Sequence, residues 1–295
     1  MWVGFFVPIL RKKLMKIKKI INNNIVSTID EKGHELIVSG KGIGFGKKIG
    51  DEIDRGSVKK IYRMTNSSMQ RKLMELLEEI PYEHLRVTDD LVEMIKNELP
   101  YKLNEFLIVT LSDHISFAIE RKSKGIEFTN PLMESIIEYY PEEFRLGEKC
   151  LNIIRERLGI SLRHDEAGFI AMHIVNAELN TAMSEVYDIT SLIEGCIKVT
   201  EYYYNKKFDK GSLSYSRFIV HLRYFAQRVF SDSPMPLSKE AEDETFRRLI
   251  KETCKKHYQC AEHIAEFVKK KYGKSITEEE LVYLTIHLKR INMSE

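Results

Sequence analysis

The sequence contains an internal repeat, and this repeat restricts the possible folds more than any other feature. Residues 158–173 align without gaps on residues 272–287, with Gly, Ser, Glu and His matched at equivalent places. Upstream, residues 114–121 align in the same way on residues 221–228. The two alignments are offset by 114 and 107 residues, so the order and approximate spacing of both segments are repeated. We therefore predict two copies of one domain in the C-terminal part of the chain.

Apolar residues in this part of the chain follow a helical period. Leu73, Leu76, Leu77 and Ile80 occupy positions i, i+3, i+4 and i+7 of one helix face, just before a proline. The same spacing continues towards the C terminus, with breaks at loops that mostly contain Gly or Pro. The pattern predicts two all-α helical-bundle domains, which we place at residues 71–181 and 182–295.

The segment before residue 57 has the character of strands and turns. Asparagines at positions 22–24 favour a turn, Asp30 to Gly33 favour a hairpin turn, and four glycines within residues 40–46 exclude a regular element there. The runs expected to be strands are residues 16–21, 25–29, 36–38 and 47–53. The sequence thus predicts a small all-β antiparallel domain of four short strands.

We place this β domain, with its linker, at residues 15–70. Residues 57–70 are consistent with a linker or with a short strand followed by a polar tail. A module of this size has marginal stability alone, so we expect it to form a homodimer through its sheet.

Charge is distributed unevenly along the chain. Residues 11–70 hold 14 Lys or Arg and 6 Asp or Glu, a balance of +8, whereas residues 71–295 have a balance of −6. Such asymmetry indicates that the N-terminal domain binds a polyanion. Charge alone does not distinguish RNA, DNA and a membrane surface.

The first residues and the cysteines indicate the cellular compartment. Residues 1–10 are apolar but too few to cross a membrane, and basic residues follow them instead of preceding them as in a secretory signal. We expect residues 1–14 to be an unstructured tail or an upstream mis-start, with Met15 as the natural start. The four cysteines have no metal-ligand spacing and are expected to be inert thiols in a reducing cytoplasm.

Four histidines stand at matched positions of the repeat. These are His114 and His173 in the first copy, and His221 and His287 in the second. A single histidine on an apolar helix face is usually a satisfied core or boundary residue. Repetition at equivalent positions makes a functional role the better interpretation.

Two kinds of chemistry are open to histidines arranged in this way. One is metal binding, and residues 164–165, His-Asp, form a dipeptide that helical metal-dependent phosphohydrolases use. The second copy has two glutamates at that place, and neither copy has histidines at i and i+4, so we expect no metal and no cofactor. The other is acceptance of a phosphoryl group by a neutral imidazole, which adds about −1.5 to −2 charges.

These features together resemble the BglG/SacY/LicT type of transcriptional antiterminator over essentially all of residues 15–295. Residues 15–24 and the Gly-rich 40–45 resemble the co-antiterminator RNA-binding domain of that family. Residues 111–114, Leu-Ser-Asp-His, and 165–173 resemble its first PTS regulation domain. The contexts of His221 and His287 are weaker, but both fall where the second such domain has its histidines. The resemblance implies a regulator and not an enzyme.

The resemblance also implies which residues bind RNA. Members of the family bind a partly mismatched hairpin in the leader mRNA of a sugar-utilisation operon, by inference a β-glucoside operon here, and so exclude an overlapping terminator. Many members carry Arg at the position of Lys41, so planar contacts would be lost while the charge is kept. The alternative is that the glycines form a plain hairpin end with Phe45 in the sheet core. The residues at RNA-contact positions are Lys19, Asn24, Gly40, Lys41, Gly42 and Phe45.

Control of activity follows from the same resemblance. Phosphorylation of the first-copy histidines by a sugar-specific Enzyme II permease would inactivate the protein. Phosphorylation of the second-copy histidines by the phosphocarrier HPr would favour the active dimer, and which of the two histidines accepts phosphate is open. Two other classes of function stay open: a DNA-binding activator with the same regulatory repeats, which would need a helix-turn-helix, and the metal-dependent phosphohydrolase.

Overall fold

The structure is a computed structural model, and it describes residues 15–30, 33–62, 74–181, 183–231 and 244–291. The chain forms two compact units, Met1–Glu127 with Cys150–Leu162, and Phe128–Lys149 with Arg163–Glu295. The expected leader at residues 1–14 lies outside the described residues. The predicted boundaries at residues 70 and 181 stay predictions.

The first unit begins with a four-stranded antiparallel sheet in the order β1-β2-β3-β4, as predicted. Along the sheet each strand pairs with the next strand of the chain, with Val26 opposite Val38 and Val38 opposite Ile61. A cluster of buried apolar side chains forms the core of this module: Met15, Ile17, Val26, Val38, Ile43 and Ile53. The strands are β1 Lys19–Asn22, β2 Ile25–Ile29, β3 Glu35–Ser39 and β4 Lys60–Tyr62.

The predicted strand at residues 47–53 is wrong. Gly50 has a φ of +93°, and the Lys48 amide donates to the Asp51 carboxylate at 2.8 Å, so this segment turns instead of extending. Its end still joins the core, because the Ile53 amide donates to the Met15 carbonyl at 2.8 Å and the Ile53 side chain is buried. The fourth strand lies in residues 57–70, where a short strand was one of two alternatives.

The same unit contains three described α-helical segments before residue 127. They are α1 (residues 74–79), α2 Tyr82–Glu98 and α3 Leu107–Ser123. Asp89 on α2 accepts hydrogen bonds from Lys60, at 2.6 Å, and from the hydroxyl of Tyr62. Both donors belong to β4, so this edge strand is attached to α2.

The second unit is helical throughout its described residues, in agreement with the prediction. The helix Pro141–Leu158 contributes residues 141–149 here and its remaining residues to the first unit. Ser212 and Thr277 cap the N termini of the helices that begin at Leu213 and Glu278 through their hydroxyls. Gly273, at φ +68°, ends the helix Lys255–Tyr272 in a left-handed conformation. The helices are α4 Met133–Tyr139, α5 Pro141–Leu158, α6 Asp165–Leu179, α7 Met183–Tyr204, α8 Leu213–Phe230, α9 Glu244–Thr253, α10 Lys255–Tyr272 and α11 Glu278–Arg290.

A charged side chain from α8 connects three helices of this unit. The Arg223 guanidinium donates to Glu143 on α5 at 3.1 Å and to Glu178 on α6 at 2.8 Å. It also lies 4.7 Å from the ring centroid of Tyr140. Glu143 is only 2% exposed, so its charge is balanced by Arg223 and not by water.

Candidate RNA interface and histidine site

The Gly-rich turn at residues 41–46 is held against the turn between β1 and β2. The Asn24 side-chain oxygen accepts a hydrogen bond from the Gly42 amide at 2.8 Å, and the Asn24 carbonyl accepts one from Gly40 at 2.9 Å. The Gly44 amide donates to the Asn23 carbonyl at 3.0 Å. These hydrogen bonds join Asn24 to both glycines predicted to bind RNA, of which Gly42 is exposed and Gly40 is buried.

Two of the glycines have structural reasons to be glycine. A Cβ on Gly40 would lie 1.8 Å from the carbonyl oxygen of Ser57, so no side chain fits there. Gly42 has a φ of +70°, which other residues rarely adopt. Two glycines predicted to contact RNA are thus also required by the backbone geometry of the protein itself.

Phe45 and Lys41 project from this turn into solvent. Phe45 is 72% exposed, which contradicts the alternative in which its ring lies in the sheet core. Lys41 is also exposed. An exposed aromatic ring beside lysines and an asparagine is the combination with which proteins stack on unpaired bases and contact phosphates.

Lys19, the remaining residue predicted to bind RNA, already has a partner. Its ammonium group lies 2.7 Å from the Glu78 carboxylate on α1. Next to it, the side-chain amide of Asn22 donates to the Leu77 carbonyl at 2.8 Å. Helix α1 is therefore attached to the same strand, β1, that contributes Lys19.

The structure brings His221 and His287 together. Their rings are stacked, with centroids 3.4 Å apart and an interplanar angle of 23°. The ring of Tyr283 packs edge-on against His287 at 4.4 Å. Both histidines line a surface pocket, together with Ser214, Arg217, Phe218, Arg290 and Ile291.

The surroundings keep both imidazoles neutral. Burial lowers the pKa of His287 to about 3, with further lowering by His221, Arg290 and Arg228. Burial also lowers the pKa of His221, as do Arg290 and Arg228. A neutral imidazole has the free lone pair that a phosphoryl acceptor needs.

The lowered pKa of His287 predicts a loss of stability in mild acid. The unfolded chain takes up a proton on this histidine near pH 6.5, whereas the folded chain does so only near pH 3. Stability is therefore complete above pH 6.5 and falls between these values by about 1.4 kcal/mol per pH unit, or about 2 kcal/mol at pH 5. Hydrogen exchange of α11 amides at pH 7 and pH 5 measures the difference. His287→Gln, which cannot titrate, should reduce this difference in stability. An undiminished difference in that variant would show that His287 is not its cause.

A buried ion pair lies beside the stacked histidines. Arg228 on α8 donates two hydrogen bonds to the Glu280 carboxylate on α11, at 2.5 and 2.9 Å. The side chains are 8% and 12% exposed. The Arg228 guanidinium also lies 4.4 Å from the ring centroid of Tyr283. Sequence reasoning did not select these residues.

The repeat itself carried a signal for this pair. Arg121 aligns with Arg228, and Glu166 aligns with Glu280. Both first-copy side chains are buried, at 5% exposure each. Charged residues are rarely buried without a partner, so the matched types at these positions could have predicted the ion pair of the second copy.

The first-copy histidines belong to different compact units. His114 lies on α3 and is half-buried, with the exposed Asp113 before it. His173 lies on α6 and is also half-buried. The structure thus places each of them on a helix, as predicted, and their phosphorylation stays a prediction.

The motif before His173 has a structural role. The Asp165 carboxylate accepts a hydrogen bond from the Asn130 amide at 2.9 Å, and this bond lowers its pKa. Gly168 faces the side chain of Asn130, and a Cβ there would lie 2.8 Å from that side-chain nitrogen. Asp165 and Gly168 therefore fix the loop before α4 onto α6.

The two residues that suggested a metal-dependent hydrolase, His164 and Asp165, form hydrogen bonds within the protein. His164 lies 3.1 Å from the Glu148 carboxylate, while Asp165 binds the loop. Among the residues that the structure describes, no group of three or more His, Cys, Asp or Glu side chains is arranged to hold a metal ion. No described helix is both long and apolar enough to cross a membrane.

A basic β-sheet module followed by duplicated helical domains with histidines at repeated positions defines a modular nucleic-acid-binding regulator. Comparison with known families makes this specific. The CAT RNA binding domain matches residues 15–71, and the PRD domain matches twice, at residues 89–177 and 194–291. The double match confirms the predicted duplication.

Curated relatives match almost the whole chain. Transcription antiterminator LicT of Bacillus subtilis is 39% identical, with 94% of this chain and 99% of the relative covered. The beta-glucoside operon antiterminator of Dickeya chrysanthemi is 38% identical, with coverages of 94% and 96%. A crystal structure of GlcT CAT-PRDI is 36% identical, with a TM-score of 0.48, and covers 56% of this chain and 99% of that one. This chain belongs to the BglG/SacY/LicT-type family of transcription antiterminators, RNA-binding regulators under PTS control.

Proposed function

We propose that this antiterminator acts in the cytoplasm on the leader mRNA hairpin of a β-glucoside utilisation operon, with Phe45 and its neighbouring side chains as the RNA-binding surface. The exposure of Phe45 is the observation that carries this proposal, because an aromatic ring open to solvent, in the same turn as the exposed Lys41, is available to stack on an unpaired base. The names of the relatives from Bacillus and Dickeya support the operon class.

Each predicted residue contributes a different kind of contact. Phe45 stacks on an unpaired base of the hairpin, while Lys19 and Lys41 bind phosphates. The Asn24 side-chain oxygen is used by Gly42, so its NH₂ group is the part that can reach a base edge. Gly40 and Gly42 keep the turn low enough for the RNA backbone to approach. The bound hairpin excludes the overlapping terminator, and transcription continues.

The histidines of the two copies have opposite effects in this proposal. A sugar-specific Enzyme II permease phosphorylates His114 and His173 when its sugar is absent, which inactivates the protein. The phosphocarrier HPr phosphorylates the stacked pair of the second copy, next to Arg217 and Arg290. These two arginines offset the new charge, and the modified copy favours the homodimer.

Comparison of RNA with DNA tests the proposed target. The full chain is titrated with a leader hairpin and with a duplex DNA of equal length at several salt concentrations. We expect binding to the hairpin to be stronger at every concentration. Stronger binding to duplex DNA would support the DNA-binding activator instead and would overturn the proposal. Such an activator would need a helix-turn-helix. The described residues within 15–62 contain strands, turns and one short 3-10 helix, Arg55–Ser57, and no helix-turn-helix.

Removal of the exposed ring should weaken RNA binding. Phe45→Ala is expected to cost about 1–3 kcal/mol of binding free energy, the usual value for one base stacked on an aromatic side chain. Ile49→Ala is the matched control, because Ile49 is 71% exposed in the same module but is not among the predicted contacts. Fluorescence anisotropy with a labelled hairpin measures both. Equal affinities of the two variants would show that Phe45 makes no contact with RNA.

A further inference from the structure

The hydroxyl of Tyr283 contacts His221 at two atoms. Its oxygen lies 3.2 Å from ring nitrogen Nδ1 and 3.2 Å from the backbone carbonyl oxygen of the same residue. A carbonyl oxygen only accepts hydrogen bonds, and a hydroxyl has a single proton to donate. When that proton is donated to the carbonyl, the hydroxyl can contact Nδ1 only as an acceptor.

We propose that Tyr283 is a positioning residue that holds His221 in the Nδ1–H tautomer, so that Nε2 carries the lone pair that accepts the phosphoryl group. The inference rests on the proposed function, in which a second-copy histidine is phosphorylated. It selects His221 as the acceptor and Nε2 as the reacting atom. Neither choice could be made from the sequence.

The neighbours of Tyr283 keep its hydroxyl in place. The Arg228 guanidinium lies over the Tyr283 ring, and Glu280 holds that guanidinium through two hydrogen bonds. The Tyr283 hydroxyl contacts His221, and His287 stacks on the His221 ring and restricts its rotation. The tautomer is therefore set by a chain of contacts that reaches into the buried ion pair.

The transfer step is balanced for a donor protein that carries phosphohistidine. The Nε2 lone pair of His221 forms a bond to phosphorus while the nitrogen–phosphorus bond of the donor breaks, and that electron pair returns to the donor nitrogen. The Tyr283 oxygen, which accepts the Nδ1–H bond, stabilises the positive charge that develops on the ring. The Nδ1 proton then leaves His221 and the donor imidazole takes up a proton, so both rings end neutral.

The first copy differs at this position. Phe169 aligns with Tyr283, four residues before the last histidine of each copy, and it has no hydroxyl. The repeated histidines therefore match while the residue that would set a tautomer does not. This difference assigns the constraint to the second copy alone.

The test combines a tautomer measurement with a phosphorylation measurement on the full chain. Nitrogen-15 spectra of histidine-labelled protein report which ring nitrogen carries the proton. In the wild type we expect His221 to be protonated at Nδ1, and HPr charged by Enzyme I and phosphoenolpyruvate should yield Nε2-phosphohistidine at position 221. In Tyr283→Phe we expect mixed tautomers and transfer to His221 that is about three- to tenfold slower, as for the loss of one hydrogen bond.

Tyr272→Phe is the matched control. It removes a buried tyrosine hydroxyl from α10 that has no hydrogen-bond partner among the described residues. This control should leave the tautomer and the transfer rate unchanged. Nδ1-phosphohistidine in the wild type, or an unchanged His221 spectrum in Tyr283→Phe, would overturn the inference while leaving phosphorylation of the second copy intact. Absence of phosphate from both His221 and His287 in the wild type would overturn the proposed function as well.

Discussion

Replacing Arg228 by alanine is expected to lower the free energy of unfolding of the second helical copy by about 3–5 kcal/mol, because it leaves a buried carboxylate without its partner. Glu280 is 12% exposed and accepts both of its short hydrogen bonds from Arg228. Native-state hydrogen exchange of amides in α8 and α11 measures the loss locally, which matters because a chain with several domains need not unfold in one step.

Two further variants distinguish the cost of an unpaired buried charge from the cost of shortening an arginine side chain. Arg248→Ala removes an exposed arginine of the same copy and should change stability by no more than about 0.5 kcal/mol. The double variant Arg228→Met with Glu280→Leu removes both charges and should recover most of the loss, since apolar replacement of a whole pair is often nearly neutral. Equal losses for Arg228→Ala and the double variant would mean that the unpaired Glu280 carboxylate is not the source of the loss.

Aspartate at the four repeated histidines is expected to shift antitermination in opposite directions. His221→Asp and His287→Asp imitate part of the phosphoryl charge and should strengthen dimerisation and raise transcription through the terminator. His114→Asp and His173→Asp should lower it. Regulatory couplings of this kind usually amount to factors of about 5 to 150. A reporter gene behind the leader terminator, with ultracentrifugation for the oligomeric state, measures both effects.

The control for these variants is a histidine outside the repeat. His263 lies on α10 with a side chain that is 53% exposed, so His263→Asp adds the same charge without entering the pocket. It should behave as the wild type. Wild-type transcription through the terminator in all four repeat variants would refute the proposal that these histidines control the protein.

Much of the fold follows from local patterns in the sequence. The helices and the duplication could be predicted because apolar spacing and a gapless alignment are properties of neighbouring residues. The fourth strand could not. Residues 47–53 have strand-like composition around Ile49, but Gly50 at φ +93° turns the chain, and the sheet takes residues 60–62 after a loop instead. Strand pairing depends on such long-range competition.

The site was predictable in its residue types but not in its contacts. Alignment showed that His221 and His287 are equivalent to the first-copy histidines, yet stacking at 3.4 Å depends on how α8 and α11 pack. The functions of Arg228 and Tyr283 arise only from that packing, although matched Arg and Glu residues in both copies were a signal. Gly40 and Gly42 were predicted as RNA contacts, and the structure adds backbone reasons within the protein for both glycines.

The ion pair between Lys19 and Glu78 affects how RNA binding will respond to salt. A lysine that binds a phosphate normally raises the affinity because the nucleic acid releases a counterion. Each such contact therefore makes the affinity depend more steeply on salt concentration. Lys19 already has a carboxylate within 2.7 Å, so a phosphate bound to Lys19 as proposed would replace the Glu78 carboxylate and free the acidic end of α1. On this proposal, a count of phosphate contacts from the salt dependence is expected to be too low, and the position of α1 is linked to occupancy by RNA.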